Sequence, residues 1–182
     1  MRWILIGLVL VLVAQPAAAD MAADELVKIF AETCLKRFPD ETSIQQYARE
    51  NRLAIMPDEQ LYHLLGSDPG EGWLRNTTRG QYLLTVEMPP YHTCAIRKSD
   101  AQQPDFLLVF SQTLAAWAAK QTGTNLRESP SMTLHIDGVP SKEYLWELHH
   151  SQNERPEELM AIVSNIPGGV TEIRLVRAIG NR

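Results

Sequence analysis

The sequence predicts an α+β protein with N-terminal helices, antiparallel sheet and one long amphipathic helix packed on the sheet. Three observations carry this: helical periodicity up to about residue 65, strand-like alternation over 73–98 and again after 131, and one long apolar-faced helix between the strand blocks. Helices and strands come in runs, not one by one as in a parallel doubly wound sheet. With 45% hydrophobic and 21% charged residues in 182, the chain has the composition of an ordinary globular protein, not of a disordered or collagen-like one.

The first 19 residues read as a secretory leader. Arg2 supplies a positive start, Ile4 to Ala14 an apolar run, Pro16 a break and Ala17-Ala18-Ala19 a small-residue cleavage site. The run is about half the roughly twenty residues that a membrane-spanning helix needs. Cleavage would leave residues 20–182 as one α+β unit, with a possible sub-boundary near 126–131. That part carries 16 basic and 22 acidic side chains, a net charge of −6. No basic run of five or more occurs, which disfavours nucleic acid and anionic lipid as partners. The expected address is periplasmic or secreted, with no membrane span after leader removal.

Asp24 to Phe38 reads as the first helix. Leu26, Phe30 and Cys34 fall on one stripe, Ile29 and Thr33 lie beside them, and Pro39 ends it. Thr42 to Arg52 reads as the second, capped by Asp40 or Thr42, with Ile44, Tyr47 and Ala48 as its apolar face. Pro57 to Leu65 reads as the third, with Gly66 at its exit. Gly70-Glu71-Gly72 then reads as a flexible turn.

Trp73–Thr77, Gln81–Met88 and His92–Lys98 read as an antiparallel meander. Asp100 to Thr122 is the clearest helix, with Phe106, Phe110, Thr113, Leu114 and Trp117 on one face and Gly123 as its stop. Four strands follow: Met132–Ile136, Glu143–His150, Glu158–Ser164 and Thr171–Ile179. Turns at Asp137-Gly138-Val139-Pro140 and Pro167-Gly168-Gly169 punctuate them, and Asn153–Pro156 reads as a loop.

Cys34 and Cys94 are the two cysteines. In an oxidising compartment such a pair is most simply a disulfide, closing a loop of about sixty residues. The alternative is a redox pair, although redox pairs usually sit in C-x-x-C.

Phosphate-binding, nucleophile-elbow and H-E-x-x-H motifs are absent from the sequence, and no cofactor is expected. The best chemical candidate is Glu147-Leu148-His149-His150. On a strand, Glu147 and His149 share a face, as an acid/base pair or two metal ligands would; His135 or Asp137 is a possible third group. The competing reading is an exposed side-chain pair. Tyr144 and Trp146 alternate with these residues and form either core with Leu148 or, if exposed, a binding patch. His63 and His92 read as surface residues, and Asn76-Thr77-Thr78 fits a glycosylation acceptor.

The segment from Phe30 to Lys98 contains Phe30-x-x-x-Cys34, Phe38-Pro39, Gly72-Trp73, Tyr82-Leu83-Leu84 and Cys94-Ala95-Ile96. It resembles a group of small exported proteobacterial proteins of unknown function, with an F-x-x-x-C helix, a G-x-W start to a strand and a second cysteine followed by an apolar strand. The resemblance implies a Cys34–Cys94 pairing and a periplasmic address, and no activity. The function expected is that of a non-catalytic binding or inhibitor/immunity-type protein whose partner is another periplasmic protein. The alternative is a small periplasmic hydrolase using Glu147 and His149, with or without a metal. A third reading is an assembly factor that accepts a client strand at a sheet edge.

Overall fold

The computed structural model describes residues 18–99, 106–151 and 155–180. Most of the expected leader, residues 1–17, lies outside the described residues, as do the expected start of the long helix (100–105) and part of the 153–156 loop.

Helix α1 spans Ala18–Phe30 and runs into a π-helical turn, Ala31–Leu35. Leu26, Phe30, Thr33 and Cys34 are buried along the expected stripe. Helix α2 is Glu41–Glu50; Asp40 caps it by accepting from the Ser43 amide, and Ile44, Tyr47 and Ala48 are buried as their spacing requires. A two-residue strand β1, Ala54–Ile55, precedes α3, Asp58–Leu65, with Pro57 just outside its first turn. Strands β2 (Gly70–Thr77), β3 (Gly80–Glu87) and β4 (Thr93–Ser99) form the meander. Helix α4 is described over Phe106–Ala118, with Phe106, Phe110, Leu114 and Ala118 buried. It stops short of the expected Thr122. The chain turns through Lys120 and Gln121, and Gly123 takes the positive φ of 70° that glycine tolerates best.

Strand β5, Thr124–Glu128, overlaps the first part of the possible sub-boundary at 126–131; it pairs along its length with Trp146–His150. Strands β6 (Met132–Ile136), β7 (Val139–His150), β8 (Glu157–Ile166) and β9 (Val170–Ala178) complete the sheet. Asp137 and Gly138, both at positive φ, make the tight turn between β6 and β7, so that Pro140 belongs to the strand and not to the turn.

Among the described residues, nine strands join one antiparallel sheet in the order β1-β2-β3-β4-β9-β8-β7-β5, with β6 beside the first half of β7. The β4–β9 ladder joins the early and late halves of the chain. Strand alternation gives the sheet two unlike faces. The first face carries Tyr82, Leu84, Cys94, Ile96, Trp146, Leu148, Leu159 and Leu175, packed with α1, α2 and α4 in the main core. Phe110 links the layers, edge-on to Phe30 at 5.4 Å and to Trp146 at 5.3 Å. The Cys34–Cys94 disulfide bolts the π-helical turn to β4, with Cα atoms 5.5 Å apart.

The second face carries a smaller apolar cluster of Ala95, Met160, Ile162 and Val176. At its β2 end it is covered by α3. A Cβ on Gly70 would fall 2.5 Å from Leu65 Cδ1, and one on Gly72 would fall 2.9 Å from Leu61 Cδ1. These glycines are strand residues that let α3 approach, a different role from the flexible turn expected of them. Among the described residues, no helix is long and apolar enough to cross a membrane.

Candidate functional site

Strand β7 divides the expected site residues between the two faces. Trp146 is 5% exposed in the main core, and Tyr144 packs against that core, half-buried, with the Lys142 ammonium 5.0 Å from its ring centre. The open aromatic patch is therefore corrected to packing: the face that carries these rings is the one the helices cover. Glu147 and His149 share the second face, with His149 Nε2 3.7 Å from Glu147 Oε2, beyond hydrogen-bond distance. The groups offered as third members do not join them. His135 pairs with Pro140, seven strand positions from Glu147, or about 23 Å at a strand's rise. Glu147 instead faces Arg127 on β5 and Glu158 on β8. Among the described residues no group of three or more His, Cys, Asp or Glu is placed to hold a metal.

His150 points to the first face and bonds Glu157 at 2.8 Å. His92 stacks edge-on with Phe38, and His63 is exposed beside Tyr62. The Asn76-Thr77-Thr78 sequence sits in the β2–β3 hairpin, where Thr77 donates to Glu25.

The structure brings together a pair that the sequence reading passed over. Arg97 on β4 and Arg174 on β9 are directly opposite partners in the ladder. Their Cβ atoms are thus about 5 Å apart on the second face, where like charges destabilise. Arg97 is only 8% exposed. Its Nη2 donates a long bond, 3.4 Å, to the carbonyl of Leu64 at the end of α3, and its Nε has no partner. Arg174 Nη2 reaches Glu172 at 3.6 Å, and its Nε is likewise buried without a partner. Burial, and then the facing Arg174, push the Arg97 pKa down to about 10. The pair stands in a cavity of about 190 Å³ on the second face, floored by the Ala95, Met160, Ile162 and Val176 cluster. Asp68, Glu87 and Tyr91 stand at its walls.

Arg177, three residues on, shows what a settled buried arginine looks like in the same sheet. It lies on the first face, 6% exposed. Nε and Nη2 each meet Glu157 Oε2 at 2.8 Å. Nη1 donates to the carbonyls of Phe38, Cys34 and Leu35 at 2.7, 2.9 and 3.2 Å. It thereby satisfies acceptors that the end of the first helical segment leaves open. Burial lowers its pKa, and Glu157 opposes that shift.

A larger cleft, of about 570 Å³, lies between α2, α3 and the β1–β2 edge, with Trp73, Met56 and Leu61 among its lining. Its polar groups serve one another: Gln45 Nε2 donates to both carboxylate oxygens of Glu71, at 3.0 and 2.9 Å. The unsatisfied polar chemistry lies on the second face.

No family model matches the chain. No curated protein matches it either. A solved structure similar to part of it is the solution structure of cyanobacterial PsbP (CyanoP) from Synechocystis sp. PCC 6803, with 8% identity and a TM-score of 0.33. The match covers 54% of this chain and 62% of that one, less than two thirds of its length.

Proposed function

We propose that this chain is an exported, non-catalytic binding protein of the periplasm that holds its ligand against the second face of its sheet. The observation that carries this reading is the Arg97–Arg174 pair: two arginines, directly opposite in the β4–β9 ladder and each with a buried Nε that has no partner, stand on the face that α1, α2 and α4 leave uncovered. Export is supported by the leader-like first 19 residues and agrees with the Cys34–Cys94 disulfide. The same features support the kinship with small exported proteobacterial proteins. The inhibitor or immunity-type version, with a basic exported protein as partner, rests on the −6 charge of residues 20–182.

The test is capture from periplasmic extract, at low and high salt, by immobilised residues 20–182. A Thr93→Arg/Leu145→Arg variant adds bulk and charge on the second face at half-buried positions, and Leu108→Arg is the control on the solvent side of α4. Wild type and the control should retain the same extract component and the face variant should lose it. Equal retention by all three, or no component at either salt, removes the reading.

The hydrolase reading is favoured by one observation: His149 Nε2 is buried without a hydrogen bond beside Glu147. It predicts an activity that His149→Ala abolishes.

A further inference from the structure

We infer that the Arg97–Arg174 pair is a binding site for the carboxylate of a small organic acid with a short apolar body. This rests on the proposed binding role and gives it a ligand chemistry.

The argument begins from what the pair lacks. A guanidinium has five N–H donors in a planar fork, and in a buried place each needs an acceptor. Arg177 shows that this sheet can supply them: a carboxylate and three carbonyls surround it. Arg97 is as deeply buried and has a long bond to one carbonyl and an orphaned Nε. Arg174 opposes it across the ladder with its own Nε orphaned. Both side chains line one cavity, and each brings to it a buried cation with an unpaired donor. A carboxylate there would accept from both forks, and charge-assisted bonds of this kind are the strong ones.

The surroundings choose among anions. Glu87, Glu172 and Asp137 act electrostatically on Arg97, and Asp68 stands in the cavity wall. Four carboxylates around two guanidiniums oppose a dianion such as phosphate about twice as strongly as a monoanion, so a monocarboxylate that gains apolar contact as well is the favoured ligand. The cavity floor is Ala95, Met160, Ile162 and Val176. That surface suits a hydrocarbon body, while a hydrated inorganic ion would gain nothing from it. Tyr91, 45% exposed, stands at the rim, where its ring can close over such a body.

Hexanoate, inorganic phosphate and hexylammonium are the probes, titrated calorimetrically into residues 20–182 with the disulfide intact. Hexanoate should bind saturably at one site. Arg97→Met and Arg174→Met should each weaken it about ten- to hundredfold, the cost of losing charge-assisted bonds. Arg97→Lys keeps the charge without the fork and should fall between them and wild type. Chemical shifts of the Ala95 and Val176 amides should move with hexanoate and not with hexylammonium. The proposal is overturned if phosphate binds more tightly than hexanoate, if hexylammonium binds equally well, or if folded Arg97→Met binds hexanoate as wild type does. No hexanoate binding, with capture from extract still lost in the face variant, removes the carboxylate and leaves the binding role standing. No hexanoate binding and no capture remove both.

Discussion

Arg97 and Arg177 make opposite predictions from the same substitution. Replacing Arg177 by Met strips Glu157 of its cation, leaving it with His150, and leaves the carbonyls of Cys34, Leu35 and Phe38 without their shared donor. Breaking one side of a buried pair costs about 3–5 kcal/mol. At roughly 2–4 °C per kcal/mol for a chain of this size, the melting temperature should fall by about 10 °C. Replacing Arg97 by Met removes a desolvated cation that is repelled by Arg174 and has one 3.4 Å bond and the attraction of Glu172, Glu87 and Asp137 to lose. The methionine lands beside Met160 and Ile162, and the repulsion from Arg174 disappears. Arg97→Met should therefore be neutral or more stable by up to about 2 kcal/mol. Urea unfolding followed by tryptophan fluorescence reports both, since Trp146 and Trp73 are buried. An unchanged m-value would show that the unfolded state is not the cause. The reasoning fails if Arg97→Met costs as much as Arg177→Met, because Arg97 would then be a structural arginine like its neighbour. Excess hexanoate should reverse the order of wild type and Arg97→Met, since a ligand stabilises only the form that binds it.

Three further outcomes follow from other parts of the molecule. Cys34→Ala/Cys94→Ala opens a loop closed over a sequence separation of 60, and chain entropy puts the loss at about 4 kcal/mol, read as a urea midpoint shift that reducing agent reproduces in wild type. Gly70→Ala would place a Cβ 2.4 Å from the Val86 carbonyl oxygen and 2.5 Å from Leu65; it should cost about 1–3 kcal/mol and speed amide exchange in α3 before the rest of the sheet. Burial, and then its 2.7 Å bond to Glu25, hold the Tyr82 hydroxyl above its ordinary pKa of 10.0. The unfolded chain therefore releases that proton first, and the tyrosine's stabilisation, complete below about pH 10, is lost as pH rises past it. Tyr82→Phe should give up about 1 kcal/mol at neutral pH and then lose less than wild type between about pH 9 and 11 in urea titrations.

The elements legible in the sequence are those whose burial follows a local period. Ile44, Tyr47 and Ala48, and Phe106, Phe110 and Leu114, lie on one face of their helices, and the spacing alone orients them. Strand β5 escaped because Leu126 is its one apolar side chain between polar neighbours, so its pairing with β7 decides its structure and its composition does not. The glycines at 70 and 72 read as a turn because nothing local says that α3 folds back over them. The Glu147–His149 pair was legible as a shared strand face, and its distance from His135 was not, since that depends on which half of β7 each neighbour borders. For Arg97 and Arg174 the signal was present but incomplete: each follows an isoleucine in its strand and takes the face opposite to it. That they meet is a matter of the β4–β9 register between segments 77 positions apart.

That register bears on function because of where it places the pair. Strands β4 and β9 are interior strands of the sheet, each paired on both sides, and interior positions are where aliphatic side chains gain most from burial. Ala95 and Val176, next in line on the same face, show the aliphatic solution. At the Arg97–Arg174 rung the chain carries two like charges in its place, with an orphaned donor on each. The disulfide, the Phe30–Phe110–Trp146 stack and the Arg177 clamp all lie on the other face. Two like charges at an interior rung are a cost to the fold, which the proposed carboxylate would offset. The stability of Arg97→Met and its affinity for hexanoate should therefore move in opposite directions; a loss of both together would return this rung to the scaffold.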